Sequence, residues 1–543
     1  MVNNNIVIKK KLLYHSFGSY GIILKSELYS NYVYKITKFF SSNYIDVDNF
    51  IEMIYLNYFK NKYEFLYTNN LCHFLPVQNI STFIYNIYDF EQKYEIDVEL
   101  HSKICKKLQI NTNDIIIVNK MKYYPYNLYN WINYNKNNNK IKYDNLYTII
   151  EKILLGLNLI HSNKLAHGDL KSYNIITDGI DFRIIDFGSI KNTKNIKYDC
   201  TCTNIYRSPE DFEFEIKTKN NKILYNNDVV KSDIWSLGLI LCEIVNKNNP
   251  VIIKYDEIKS KYYFSSQKEI EIKLFEYLNN MKSDLKNIFN NATQNEDYVQ
   301  TKNVNSLNII IEKILTINPN DRINLNDIFF ELFYKELPND YEEKRKIFDY
   351  NINSEYYFNK FKLFRRFYYS LIKINLRFHN ELFLYPLIIN IFDRFIVSLI
   401  NKYINNFIQY IKCYFVLDML EFNYRSDTIS IDCEDENFYN NINNSGIIFC
   451  CIYIISKILI LRKYENIISV TEKFNNIFRL SYNHPDDIFF IINSNIIYIL
   501  EILNYDIARP NIYFNQYTPL NELYYYISMI DKYLINLIVK KIE

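Results

Sequence analysis

The chain has 543 residues, 49% of them hydrophobic and 23% charged, enough for two or three domains of roughly 100–200 residues each. Such an apolar content excludes a disordered acidic or basic chain, which lacks the side chains for a core. With 63 Lys and Arg against 61 Asp and Glu, the formal charge is only +2, so the whole-chain field makes no case for nucleic acid or an anionic membrane as a partner.

The opening MVNNNIVIKKKLL has no apolar stretch of signal-peptide length. Residues 14 to about 115 alternate short β-like runs (22–24, 32–36, 115–118) with one helical stretch from about Val47 to Phe59. Residues 78–112 read as an insertion in this lobe, and the Asn-rich patch 133–140 as a surface-loop expansion. From Tyr147 the spacing turns helical, with Ile149, Ile150, Ile153, Leu154, Leu157 and Ile160 recurring at three and four. LPNDYEEKRK, near 336–355, is polar and reads as a linker. Beyond it the period is almost wholly helical, as in Leu384, Leu387, Ile388, Ile391, Phe392, Phe395 and Ile396, one apolar face. The longest apolar run, 446–461, is broken by Ser456 and Lys457, against a membrane span. Nine cysteines without a CxxC pair read as reduced thiols. The expectation is a soluble cytoplasmic protein, with a viral factory or the nucleus as alternatives.

Glycine is scarce: 8 residues, where average usage of about 7% would give roughly 38. With 53 Tyr and abundant Ile, Asn and Lys, the composition reads as drift in an AT-rich genome such as that of a large DNA virus. Under such drift, glycine is expected to persist where positive φ or a missing side chain is required.

The strongest string is HGDLKSYN (residues 167–174), followed by IIDFG (184–188). Phosphoryl transfer needs a carboxylate to orient the acceptor hydroxyl and a cation to neutralise the moving phosphoryl group, roles that Asp169 and Lys171 fit. Asn174 and Asp186 offer the oxygens that Mg²⁺ prefers. In this order, with Asp169 and Asp186 seventeen apart, the motifs resemble those of eukaryotic-type protein kinases.

That resemblance extends along the chain. SFGSYGIIL (16–24) looks like the glycine-rich loop over the ATP phosphates. Gly18 and Gly21 match two of its glycines, Ser16 replaces the first, Ser19 and Tyr20 lie at its tip, and Ile23 would pack on the adenine. Lys35 resembles the strand lysine that holds the phosphates, Val33 would lie under the base, and Glu52 resembles the lysine's helical ion-pair partner. Met121 matches the gatekeeper and Tyr124 the hinge residue whose backbone meets adenine. YRSPE (206–210), SDIWSLG (232–238) and NPNDR (318–322) resemble later landmarks, with Arg322 expected to pair with Glu210. Five of the eight glycines (18, 21, 168, 188 and 238) fall within these motifs.

The resemblance implies ATP and Mg²⁺ as cofactors and protein substrates as partners. Lys171 two residues after Asp169, with Thr203 placed to bond both, resembles the serine/threonine class; Tyr206-Arg207 before Ser-Pro-Glu resembles the cyclin-dependent and MAP kinases, implying a Pro-directed preference. Gly168 and Ile51 replace arginines that would hold a phosphothreonine, and only Lys191 remains near the third such position, with Tyr198 where the threonine would fall. Activation-loop phosphorylation is therefore expected to be unnecessary. Residues 381–396, 451–457 and 501–517 resemble successive cyclin-box helices, with Asp393 and Arg365 as the internal ion pair and Lys457 as a contact to the kinase; its glutamate partner is expected near 495–496. The expected fold is thus an α+β bilobal protein kinase fold (10–335), a linker (336–355), an all-α cyclin-like helical domain (356–520) activating the kinase in cis, and a C-terminal helix (521–543). The rival reading is a catalytically idle scaffold that presents the helical domain to partners.

Overall fold

A computed structural model describes residues 10–17, 21–27, 31–41, 44–68, 81–111, 114–137, 143–193, 203–218, 229–246, 249–261, 267–281, 298–335, 384–402, 436–461, 466–478 and 485–503, with isolated positions 285, 372, 376 and 381. Gly18, Ser19, Tyr20, Tyr198, Arg365, the linker 336–355 and the helix expected at 521–543 lie outside the described residues. By its contacts the chain divides into two compact units, residues 1–39 with 48–342 and residues 40–47 with 343–543.

The first unit opens on a twisted sheet in the order β5-β7-β3-β2-β1-β6, with β4 also pairing β3. Its strands are β1 (Lys10–Phe17), β2 (Gly21–Ser26), β3 (Tyr32–Ser41), β5 (Ser81–Asn86), β6 (Tyr94–Glu95) and β7 (Ile115–Lys122), while β4 (Tyr44–Ile45) and the last two residues of β3 fall in the division's second unit. Alternation along β3 sorts its side chains by face. Lys35 and Phe39 meet α1 (Val47–Thr68), where Phe39 stacks on Phe50 at 5.7 Å. Tyr34 and Ile36 point the other way, with Leu12, Ile22, Leu24, Ile116 and Val118.

That second face is not open to water. Helices α2 (Ile87–Lys93) and α3 (Val98–Leu108) cover it, bringing Ile87, Phe90, Leu100, Ile104 and Leu108 onto the sheet residues. Asp97 caps α3 by accepting from Leu100 N at 2.6 Å. The expected insertion at 78–112 is therefore corrected: residues 81–86 are an integral strand paired to β7, and the added part is α2-β6-α3. The periodicity missed this because six partly buried residues in β5 show no clean alternation.

The rest of the unit is mainly helical: β8 (Tyr126–Asn127), α4 (Leu128–Asn137), α5 (Tyr143–Ser162), β9 (Leu165–Ala166), β10 (Ile175–Thr177), β11 (Phe182–Ile184) and β12 (Lys191–Asn192), then α6 (Pro209–Thr218), α7 (Val229–Asn246), α8 (Pro250–Lys261), α9 (Gln267–Leu278), α10 (Tyr298–Ile314) and α11 (Leu325–Phe333). The apolar stripe of α5 is buried as its spacing predicts. Part of the Asn-rich patch is the last turns of α4 instead of loop. Short ladders β11-β10-β8 and β12-β9 frame the loop between α5 and β10.

The described helices of the second unit are α12 (Tyr385–Lys402), α13 (Glu436–Leu461), α14 (Ile467–Phe478) and α15 (Pro485–Ile502). From Ile447 to Ile458 every α13 residue is buried, so α13 is the core helix that the other three pack around. This accounts for the long apolar run, and no described helix is long and apolar enough to cross a membrane. Leu384, Ile388, Ile391, Phe392 and Phe395 are buried as expected. Lys457 donates to Glu381 Oε1 at 2.7 Å, and Tyr453 donates its hydroxyl to Glu381 Oε2 at 2.6 Å. The glutamate expected near 495–496 is thus replaced by Glu381, at the head of a segment already singled out, while Asn495 donates to Ile491 O within its own helix. Residues 501–503 end α15, and the rest of the segment singled out at 501–517 lies outside the described residues.

Candidate active site

Lys35 and Glu52 meet from the sheet and α1. Lys35 Nζ lies 2.6 and 2.7 Å from the two carboxylate oxygens, with the side chains only 15% and 6% exposed. Helix α1 is held in register by polar contacts through an otherwise apolar layer. Asn57 donates to Thr82 Oγ1 (2.9 Å), Thr82 to Asn119 Oδ1 (2.8 Å), and Tyr58 OH to Asn163 Oδ1 (2.8 Å), tying the helix to β5, β7 and the segment after α5. Around Lys35, Val33, Met121 and Tyr124 are buried and Ser16 and Ile23 half-buried. Gly21 sits where β2 crosses closest to β3, and a Cβ there would lie 2.6 Å from Ile36 O.

In the loop between β9 and β10, Asp169 is held on both oxygens. Lys171 Nζ donates to Oδ2 at 2.6 Å, while Thr203 donates its backbone N–H and its hydroxyl to Oδ1, each at 2.8 Å. Lys171 also reaches Thr203 Oγ1 at 2.9 Å, and Asn174 Nδ2 donates to Asp169 O at 2.9 Å. Beneath the loop the fully buried Asp233 accepts from His167 N (2.6 Å), Gly168 N (3.0 Å) and His161 Nε2 (2.9 Å). Burial alone would raise its pKa, but bonds and charges from the histidines and the Gly168 N–H bring the carboxyl below its ordinary value. Gly168 has φ +77°, and a Cβ would stand 2.3 Å from Ser189 O and 3.4 Å from the Lys191 stem. The absence of arginine at 168 thus has a local cause: Ser189 and Lys191 occupy its space.

Asp186 adopts a left-handed conformation (φ 70°, ψ 69°), one that Asp tolerates better than most residues. This turns the chain so that Phe187 is fully buried between Phe59, at 5.4 Å, and His167, at 5.8 Å. Asn174 and Asp186 flank one another in the fold through the Ile185 N–H bond to Asn174 O at 2.9 Å. With its Nδ2 engaged by Asp169 O, Asn174 keeps its side-chain oxygen for a cation. One carboxylate and one amide oxygen, with the remaining positions left to water and phosphate, match the habit of Mg²⁺.

The segment ending in YRSPE is tied to the same loop. Ser172 Oγ pairs with Tyr206 OH at 2.9 Å, and Tyr206 OH donates to Glu243 Oε1 at 2.6 Å, which also accepts from Asn249 Nδ2 at 2.8 Å. Glu243 lies within an apolar helix, and burial pushes its carboxyl pKa up. A carboxylic acid with a raised folded pKa favours folding most below its unfolded value, and that contribution is lost as pH rises. Glu243→Gln keeps the accepting oxygen without the charge. It should therefore match the parent's melting temperature below pH 4.5, the ordinary value, and exceed it increasingly toward pH 8. A variant less stable than the parent at pH 8 would refute this. Further along, Arg322 is paired with Glu210 through two bonds of 2.6 and 2.9 Å.

Residues 85–334, a little under half of the chain, match the family described as protein kinase domain. The chain carries a eukaryotic-type protein kinase domain. It is 30% identical over 138 residues to the serine/threonine-protein kinase KSP1 of Saccharomyces cerevisiae, covering 25% of this chain and 13% of that protein. It is 26% identical over 225 residues to the mitogen-activated protein kinase pmk-3 of Caenorhabditis elegans, 37% and 43% of the two chains. To the mitogen-activated protein kinase p38a of Drosophila melanogaster it is 34% identical over 105 residues, 19% and 26%. The chain spans less than half the length of these curated relatives. The family match begins inside β5, so β1 to β3 and α1, which carry Lys35 and Glu52, lie ahead of it.

Within the first unit the structure brings together Lys35 with Glu52, and Asp169 with Lys171, Thr203 and Asn174. Two residues had no role assigned from sequence. Asp233 lay inside a quoted motif, and Glu243 stood unremarked in VVKSDIWSLGLILCEIVN. Their signal was present all the same: a carboxylate in so apolar a helix needs buried partners.

Proposed function

We propose that the protein transfers the ATP γ-phosphate to serine or threonine hydroxyls of protein substrates. The observation that carries this is the Asp169 carboxylate, held at both oxygens by Lys171 and Thr203. The acceptor oxygen attacks the γ-phosphorus, the bond to the ADP oxygen breaks, and the hydroxyl proton passes to Asp169. Lys171 neutralises charge on the moving phosphoryl group, and Lys35, oriented by Glu52, binds the other phosphates. Ser16, Gly18, Ser19, Tyr20 and Gly21 would cover the phosphates, with Ile23, Val33, Met121 and Tyr124 around the base. Mg²⁺ held by Asn174 and Asp186 would supply further charge neutralisation.

Tyr206-Arg207 ahead of Ser-Pro-Glu supports a Pro-directed preference, and the cyclin-like segments 381–396, 451–457 and 501–517 support activation in cis. A permanent tether gives an effective concentration on the order of millimolar, so even a weak activating contact would stay occupied. Glycine at 168, with no room for an arginine, supports activity without a phosphorylated loop.

Phosphate transfer to a Ser-Pro peptide and to a general basic protein tests these points, with the full chain beside a chain ending near residue 345 and Asp186→Asn as the blank. Transfer by the full chain and little by the short one is expected. Equal transfer by both would reduce the second unit to docking, and none above the blank would leave the scaffold as the function.

A further inference from the structure

Helices α2 and α3 carry a group of reactive side chains that phosphate transfer does not use. On α3, His101 and Cys105 stand one turn apart and share a face, and the thiol donates to His101 Nε2 at 3.4 Å. From α2, Glu91 accepts from His101 Nδ1. A carboxylate offers no proton, so Nδ1 carries the hydrogen and the neutral ring keeps its Nε2 lone pair toward the sulfur. Glu91 and Cys105 therefore sit at opposite nitrogens of one imidazole. Ligands so placed do not converge on one metal ion, and no metal-holding group of such side chains occurs among the described residues. The arrangement is that of a nucleophile, a base and a group that orients the base.

The sulfur is also within reach of solvent. Ile104 and Leu108 are buried against the sheet, while Cys105 is only half-buried and His101 and Glu91 are 38% and 33% exposed. Burial and the Glu91 charge push the Cys105 thiol up, so it waits as S–H and needs a base at the moment of attack. Exposed Lys106 and Lys107 follow it in the last turn of α3, a local field that favours an anionic reactant. Exchange with a disulfide needs only a thiolate and a returned proton. Acyl transfer would need oxyanion donors as well, and the N–H groups of Gln109 and Ile110 are spent on Cys105 O.

We infer that Cys105 is a thiolation site that takes a small disulfide bearing carboxylates, with His101 as its base and Glu91 as the residue that positions the base. The Cys105 sulfur attacks one sulfur of the disulfide, and its proton passes to His101 Nε2. The S–S bond breaks, the departing thiolate recovers that proton, and half of the reactant stays on Cys105 as a mixed disulfide. The disulfide is itself the oxidant, so no other reactant is consumed. The site is independent of the kinase reading.

The reduced full chain is mixed with oxidised glutathione at neutral pH, and the rate at Cys105 is read by peptide mass mapping. The chain unfolded in guanidinium is the reference for the same cysteine. A half-buried thiol without a base would react more slowly folded than unfolded, whereas Cys105 should react about tenfold faster or more when folded. His101→Gln should lose roughly 10²-fold, the lower end of what a positioned base contributes. Glu91→Ala should lose about tenfold, and Glu91→Gln, whose amide oxygen still accepts from Nδ1, should stay within about threefold of the parent. Melting curves show that each variant is folded, and the folded-to-unfolded ratio of the parent needs no variant. For cystamine, a cationic disulfide, that ratio should be roughly three- to tenfold smaller at low salt. A parent ratio of one or less, or a parent-like rate in folded His101→Gln, would overturn the site. Equal losses in Glu91→Gln and Glu91→Ala would overturn the role of Glu91, and a cystamine ratio as large as that of glutathione would overturn the anionic reactant.

Discussion

Asp169→Asn should lower kcat for phosphate transfer by about 10²- to 10⁴-fold, the usual contribution of a positioned general base, while leaving the KM for ATP near its original value. The asparagine oxygen can still accept from the Thr203 N–H and hydroxyl, which hold Oδ1 at 2.8 Å, so the loop keeps its anchor. On the other side, an amide NH₂ would face the Lys171 ammonium in place of the carboxylate oxygen now 2.6 Å away. Two donors cannot bond, so Lys171 would lose its orientation as well as the base its charge. In the proposed reading nucleotide binding rests on other residues, among them Lys35, which is paired with Glu52. Steady-state kinetics and an ATP-induced melting shift separate the two effects. A kcat within fivefold of the parent would remove Asp169 from the chemistry.

The largest expected effect on stability is at Arg322. Its side chain is fully buried and spends its donors on both Glu210 oxygens and on the carbonyls of Thr316, Lys231 and Ile317, with the guanidinium carbon 5.1 Å from the Trp235 ring centre. Arg322→Ala would leave Glu210 charged, buried and unpaired, a cost of about 3–5 kcal/mol against a total stability of about 5–15 kcal/mol. The melting temperature should therefore fall by about 4–7 °C. The Lys313–Glu331 pair is a control of similar length, 2.7 Å, but its side chains are 46% and 35% exposed. Lys313→Ala should cost no more than about 1 kcal/mol. Calorimetry showing equal losses for the two variants would mean that burial does not set the strength of these pairs.

Much of the proposed site was legible because the phosphoryl transfer proposed for it demands fixed residue types at fixed spacing: a base, a cation two residues on, an amide five on and a carboxylate seventeen on. Scarcity of glycine sharpened this, since Gly21 and Gly168 sit where a Cβ has no room. What stayed hidden depends on contacts that spacing does not encode. Lys457 called for a carboxylate, and helical period alone could not show that Glu381, far back in the chain, reaches it. Strand β5 reads as inserted chain because both its faces are half-covered, which removes the alternation that marks an ordinary strand. Gly168 was visible as a departure, but its cause, the Ser189 carbonyl, lies twenty-one residues later.

The helices laid over the sheet change what that part of the chain can lose. Leu12, Ile22, Leu24, Tyr34, Ile36, Ile116 and Val118 now have Ile87, Phe90, Leu100, Ile104 and Leu108 as their solvent. Deleting residues 87–110 would return seven apolar side chains to water at once. Reversal would need most of them changed to polar residues beforehand, and each such change is harmful while the helices remain. The sheet face and its two helices are thus bound to one another in composition, and neither can be altered alone without leaving apolar surface in water.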